Sequence, residues 1–319
     1  TVNWLIGSTI SAISVGFLAY ISQSMGAGRE EQARKASGQA VLTVLAVGIF
    51  FTILTMGLSS KVPVWMQVDP SIRKMASSYF LILYAPMLFR TANIIFGTVL
   101  RAVGDTRTPM QVGIAFNIIN IVLNFFLIYS TRTIKIGGKE VLIPGAGWGV
   151  QGAAAASAIA YTIGGIAITI KLWKHADISP KGQSLRLDIA VLRPCMKVAI
   201  PNMFQRFATS LGYVAFASMI NSLGETATAA HTIANTVESA FYIPGYGMQT
   251  AAATLAGNAL GAKDKKKLNN LARAIMPLEI GLMIISGGLL FVFAPVLIKL
   301  FSSDAQVISL GSTVLRMVA

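Results

Sequence analysis

The sequence predicts an all-α polytopic membrane protein with two parallel-repeat lobes. Three observations carry this. First, 54% of the 319 residues are hydrophobic, only 12% are charged, and the mean hydropathy is +0.66. A soluble domain carries about 25% charged residues, so this chain cannot cover its own surface with polar groups. Second, continuous apolar runs of about 20 residues, the length a bilayer asks of a helix, recur along the chain. Third, Lys and Arg gather on alternate connections, as the positive-inside rule requires.

The expected spans are 4–25, 39–59, 76–99, 109–130, 148–172, 196–220, 230–258 and 274–299, with another beginning near 305. The runs do not alternate polar and apolar residues, which argues against a β-barrel. Sixteen of the 26 Lys and Arg fall on connections taken as inside and seven on the outside ones. The net charge of +14 is thereby explained by topology and anionic lipid, and nucleic acid is not an expected partner. The chain starts at Thr1 and ends at Ala319, each within an apolar run, so both ends look cut. Cys195 is alone, which excludes an internal disulfide and a cysteine metal site.

An internal echo appears at an offset of 235 residues. "SMGAGREEQARKA" at 24–36 matches "ALGAKDKKKLNNL" at 259–271, setting Gly26 on Gly261 and, further on, Asp69 on Asp304. Six spans separate the copies, so both point the same way, as parallel repeats about an axis along the membrane normal do. The expected domains are an N-terminal lobe, 1–172, a cytoplasmic linker with a short interfacial helix, 173–195, and a partial C-terminal lobe, 196–319. Residues 131–145 alternate apolar and polar positions around Gly137-Gly138 and read as a small outside β-hairpin.

The sharpest polar cluster is "LRAVGDTRTPM", 100–110. Gly104 suits a helix end in the left-handed conformation, and Thr108 with Pro109 suits a helix start. Arg101 and Arg107 flank Asp105. One reading is a capped turn with an ion pair; the other is an inside gate whose ion pair holds one state.

Polar residues inside spans are expensive and invite a functional hypothesis. Four stripes stand out at helical spacing: Asn117, Asn120 and Asn124; Arg90, Asn93 and Gly97; Asn202, Gln205, Arg206 and Thr209; and His231, Asn235, Glu238 and Tyr242. They serve either as packing glue or as the lining of a water-accessible cavity. Glu238 and Glu279 are the two carboxylates within spans. Glu238, with three polar neighbours on its face, is the first candidate for cation coupling; Glu279, near the inside boundary and next to Pro277, either serves there too or simply snorkels. Tyr242 to Gly247, around Pro244, is expected to break its helix in mid-span, either as a kink its neighbours tolerate or as a hinge for alternating access. Enzyme readings lack motifs: there is no GxSxG, HExxH or P-loop, and only two His.

Four stretches carry a resemblance. LRAVGDTRTPM followed by "NIINIVLN", then "LAYISQSMGAGREEQARKA", "PGAGWGVQGAAAAS" and "AAHTIANTVESAFYIPGYGMQTAAATLAGNALGA" together resemble the multidrug and toxic compound extrusion (MATE) family. The resemblance implies twelve helices in two six-helix lobes, of which this chain would hold the second to ninth and part of the tenth. It also implies Na⁺ or H⁺ antiport of amphipathic, often cationic compounds from a bacterial cytoplasmic membrane, by a monomer with no cofactor. Asn120 and Asn124 match the positions where relatives with a cation site carry an Asn and, four residues on, an Asp; here the acid is an amide. Gln205 stands where some relatives have a Glu, and Ser157 matches a small hydroxyl position. A transient Na⁺ would then lie near Glu238 or near Asn120 and Asn124. A flippase for lipid-linked sugars, of the same superfamily fold, is the alternative.

Overall fold

The computed structural model describes residues 2–66, 68–136 and 139–319. Eleven helices and one hairpin are present among them. α1 (Val2–Gly26), α2 (Glu30–Leu58), α3 (Val62–Trp65), α4 (Pro70–Tyr84), α5 (Met87–Ala102) and α6 (Arg107–Leu127) precede β1 (Ser130–Ile136) and β2 (Lys139–Ala146). α7 (Gly149–Trp173), α8 (Ile189–Asn221), α9 (Glu225–Gly261), α10 (Lys265–Lys299) and α11 (Ala305–Val318) follow. The strands pair antiparallel with Ile136 opposite Lys139, the expected hairpin; its expected Gly137-Gly138 turn lies outside the described residues.

Among the described residues, five helices are long and apolar enough to cross a membrane: α1 from Ile6 onward, α2, α6, α7 and α10. α4 and α5 qualify as a sixth span, bent by 45°. The expected single span 76–99 is corrected by this bend. Pro86 has no N–H for the ladder and its ring clashes with the preceding turn, so the helix stops at Tyr84 and restarts at Met87. α8 and α9 are long enough to span, but their polar stripes keep them below the same apolarity.

Two compact units emerge, Thr1–Ile200 and Pro201–Ala319. The first has a core of Ile10, Phe17 and Ile21 from α1 with Met87, Ile95 and Leu100 from α5, all fully buried. Glycines set its helix spacing. A Cβ on Gly16 would strike the Cys195 carbonyl, and one on Gly48 would lie 2.8 Å from Leu88 Cα. Within the expected linker, 173–195, residues 174–188 form an irregular strap on this unit and α8 begins at Ile189. Arg34 donates to the carbonyls of Ala176 and Asp177 at 3.0 and 2.9 Å. Buried Gln39 donates to the Arg186 carbonyl and accepts from the Asp188 N–H, and Ile178 is fully buried.

The second unit packs α9, α10 and α11 around Ala234, Val237, Leu290, Ala294, Ile298 and Leu315. Large apolar side chains cover its outer faces, among them Leu278, Ile284 and Phe291 on α10. Lipid or other protein helices are the media in which such faces are stable.

The echo at 235 residues reappears as structure in each unit. α1 ends at Gly26 and α9 at Gly261; α2 starts at Glu30 and α10 at Lys265; α4 starts at Pro70 and α11 at Ala305. The same C-cap closes α1 and α9. Arg29 N–H bonds the Ser24 carbonyl, Asp264 N–H bonds the Ala259 carbonyl, and the residue before each donor has positive φ. That residue is Gly28 (φ 69°) in one copy and Lys263 (φ 55°) in the other. Asp69 accepts from Ser71 N–H at 2.8 Å and Asp304 from Gln306 N–H at 2.7 Å, so both carboxylates are N-caps.

Candidate functional site

The joint between α5 and α6 closes α5 in a third copy of that C-cap. Gly104 (φ 88°) is left-handed as expected, and the Asp105 N–H reaches the Leu100 carbonyl at 3.1 Å. The expected helix start is corrected. α6 begins at Arg107, with Pro109 in its first turn, and Thr108 does not cap it; the Asp105 carboxylate does, accepting from Thr108 N–H at 3.0 Å. Sequence proximity misled here, because Asp105 points forward over the new helix.

The expected ion pair with Arg101 or Arg107 is also corrected. Among the described residues, the ion-pair partner of Asp105 is His175, with Nε2 4.0 Å from Oδ2. His175 Nδ1 lies 3.3 Å from the Asp177 N–H, which turns Nε2 toward the carboxylate. Arg101 turns back along its own helix and donates to Thr98 Oγ1 at 2.8 Å. Arg107 is exposed at the first position of α6.

Partial burial raises the Asp105 pKa, but the Thr108 hydrogen bonds and the His175 charge outweigh it and hold the carboxyl below the usual range. A depressed folded pKa contributes stability above the unfolded value near 3.9, lost as pH falls through the folded one. Asp105→Ala is expected to lower stability by about 1 kcal/mol, the worth of a cap, and Asp105→Asn by less because its amide oxygen still accepts. Thermal unfolding of both variants at pH 7 and pH 3 checks this: the Ala deficit should shrink at the lower pH.

In the first unit the structure joins three expected site residues. Asn120 Nδ2 donates to Ser157 Oγ at 3.1 Å, linking α6 to α7, and Asn124 Nδ2 donates to Asn120 Oδ1 at 3.0 Å. Asn124 Oδ1 is buried and accepts from no protein group. Asn117 does not join them; it bonds the Gly113 carbonyl of its own helix. A buried amide oxygen beside a hydroxyl can ligate a hard cation such as Na⁺. Among the described residues, no group of three His, Cys, Asp or Glu is placed to hold a metal.

Arg90 is more deeply placed than the sequence indicates. It is 8% exposed, and its guanidinium lies 5.0 Å over the Tyr161 ring. Gly164 and Gly165 let α7 come this close to α5. Tyr161 is held from behind by Phe116, with ring centroids 4.8 Å apart. Neither aromatic stands out in the sequence, since both look like ordinary span residues.

In the second unit, Glu238 is half-buried on α9, and Tyr242, one turn on, carries its hydroxyl beside that carboxylate. His231 packs edge-on against Phe216 of α8 at 5.4 Å, and its Nε2 is buried with no partner. Asn235 is half-buried, and its carbonyl accepts the Ser239 hydroxyl. Gln205 is exposed, and half-buried Arg206 has a buried Nε with no partner.

The expected break at Pro244 is corrected: α9 runs unbroken from Glu225 to Gly261 with Pro244 inside it. Proline removes one ladder bond, and a membrane helix tolerates that loss when its neighbours support it. Glu279 of α10 approaches this face of α9. Its Oε1 lies 3.4 Å from where a Cβ on Gly245 would stand, and Gly245 shares a face with Glu238 and Tyr242 at helical spacing.

Bundled apolar helices, buried polar groups at mid-span and a repeated unit define a polytopic membrane protein of the transporter type. The family model MatE matches residues 1–126 and 201–319, and the chain belongs to that family. Its members are transporters, not enzymes. The chain is 26% identical over 317 residues to a probable multidrug resistance protein NorM of Thermotoga maritima, covering 99% of this chain and 66% of that one. It is 24% identical to a probable multidrug resistance protein YoeA of Bacillus subtilis, covering 98% and 65%. The chain thus spans just under two thirds of the length of these relatives.

Among solved structures, it matches a MOP superfamily transporter from Pyrococcus furiosus with TM-score 0.88 and 22% identity, over 99% of this chain and 68% of that one. That transporter is described as having a binding pocket of reverse polarity that suggests a different function. An outward-facing multidrug resistance MATE family transporter matches with the same TM-score, identity and coverage. These likenesses establish the fold.

Proposed function

We propose that this chain belongs to a secondary active exporter of amphipathic, cationic organic compounds, driven by Na⁺ or H⁺ antiport through alternating access. The carrying observation is the MatE match over most of both units, joined by relatives named as multidrug resistance proteins along nearly the whole chain. Glu238 is the coupling acid in this reading, with Tyr242 beside it. Asn120, Asn124 and Ser157 form a polar contact in the first lobe, and Asn235, Gln205 and Arg206 line the path in the second. Pro244 weakens the α9 ladder at one point, where a change between inward and outward states can bend it. The protein works as a monomer in a bacterial cytoplasmic membrane, and its lobes divide at the 173–195 segment.

The test is efflux of a fluorescent organic cation from proteoliposomes under a Na⁺ gradient or a pH gradient, with wild type and Glu238→Gln compared. Gradient-driven efflux in the wild type, lowered about 10-fold in the variant, is the expected result. Efflux that survives the substitution moves the coupling acid elsewhere. No cation flux under either gradient overturns the reading and makes lipid-linked sugars the next substrates to try.

A further inference from the structure

The second copy of the repeated joint carries a basic cluster where the first does not. At the 235-residue offset, Lys263 stands on Gly28, and Lys265, Lys266 and Lys267 stand on Glu30, Glu31 and Gln32. The backbone is the same in both: a left-handed residue closes one helix, and the next helix starts two residues on. The lysine placements are unfavourable for the fold. Lys263 sits at φ 55°, a conformation that strains a residue with a Cβ and suits glycine. Lys265 to Lys267 fill the first turn of α10, where the helix dipole favours carboxylates such as Glu30 and Glu31 at the start of α2. Topology alone does not call for these positions. The first copy keeps its basic residues, Arg29, Arg34 and Lys35, out of both the left-handed position and the first turn.

Lys266, Lys267 and Asn270 line an open recess of about 340 Å³, together with Asp264 and Leu271. Asp264 accepts the Lys267 N–H at 2.8 Å, so the start of α10 is already capped and the recess offers side chains. Lys263 and Lys265 flank these residues in sequence, and both are exposed. Lys267 precedes Ala274, where the apolar run of α10 begins, by about 10 Å along a helix. A lysine side chain at that height reaches the phosphate layer of a bilayer.

We propose that Lys263 and Lys265 to Lys267, with Asn270, bind the phosphodiester headgroup of an anionic lipid at the membrane surface where α10 enters. Ammonium groups on flexible stems bind phosphate as point charges and need no fixed fork geometry. Asn270 adds an amide donor for the headgroup, and Leu271 an apolar contact for the glycerol end of the lipid. The phosphate compensates both the lysines gathered at the positive end of the helix dipole and the placement of Lys263. This binding involves the second unit alone and depends neither on the coupling ion nor on the exported compound.

The experiment is titration of the intact protein in neutral detergent with phosphatidylglycerol or phosphatidylcholine, read by native mass spectrometry. Wild type is expected to bind its first phosphatidylglycerol about 5-fold tighter or more. The triple variant Lys265→Gln, Lys266→Gln, Lys267→Gln should bring that preference to within about 2-fold. Its thermal midpoint in detergent should be no lower than that of wild type, because cations leave the first turn. Lys263→Gly should raise the midpoint and lose part of the preference. The first-copy variant Arg29→Gln, Lys35→Gln should keep it. No preference in wild type, one that survives the triple variant, or one lost equally in the first-copy variant overturns the proposal. A triple variant that unfolds overturns it too, since the lysines would then serve the fold. Glycerophosphoglycerol, the same headgroup without chains, should bind about 10-fold more weakly than the lipid or worse. Equal binding would reassign the recess to a soluble phosphate ester and overturn the assignment.

Discussion

Gly165→Val is expected to destabilise the first unit by about 3 kcal/mol, at the upper end of what overpacking a tight contact costs. A Cβ at this position would lie 2.5 Å from the Phe89 carbonyl oxygen, 2.6 Å from Phe89 Cβ and 2.8 Å from its Cα. Two of these three are backbone atoms, so no rotamer change relieves the clash, and α7 must move off α5. The same movement lifts Tyr161, one turn away on α7, from Arg90. Gly113→Ala is the control. It lies within α6 with nothing within 4 Å of its Cβ position, and there alanine should be neutral or stabilising by helix propensity. Thermal unfolding of both variants in detergent, followed by size-exclusion chromatography, checks the pair. Equal midpoints would show that the α5–α7 contact is not as tight as the structure has it.

What the sequence discloses about this molecule follows the range of the interactions involved. The apolar runs place most of the helices, because bilayer length and hydropathy are properties of one segment. The repeat is legible because its markers are local: a residue in the left-handed conformation at a helix end and an Asp at a helix start. Lys263 shows the limit, since nothing in its identity announces the positive φ that Gly28 occupies in the other copy.

The bend at Pro86 is hidden by the apolar run that passes through it. Asp105 illustrates the long-range case. Its neighbours in sequence are two arginines, yet its partner is His175, 70 positions away, brought there by the end of α7. Arg90 and Glu279 were both visible as polar residues in apolar runs. What they face, Tyr161 in one case and Gly245 in the other, depends on helix packing and could not be read from spacing alone.

Glu279→Gln is expected to lower gradient-driven efflux about 10-fold, as Glu238→Gln does, and the double variant is expected to be little worse than either. The α9 face that carries Glu238, Tyr242 and Gly245 receives Glu279 from α10 at Gly245. Gly245 has no side chain to hold that carboxylate off, and Met283 Cε also lies close, 2.8 Å from the same Cβ position. Two acids on one seam can serve one cation or proton in turn, and residues that act as a unit show non-additive losses. Ten-fold corresponds to about 1.4 kcal/mol, a size a double-mutant cycle resolves. Flux measured on the two single variants and the double variant, normalised to reconstituted protein, gives the coupling. Multiplied losses, about 100-fold in the double variant, would place the two carboxylates in separate steps. An unchanged rate in Glu279→Gln would leave Glu238 as the sole acid of the second unit on the transport path.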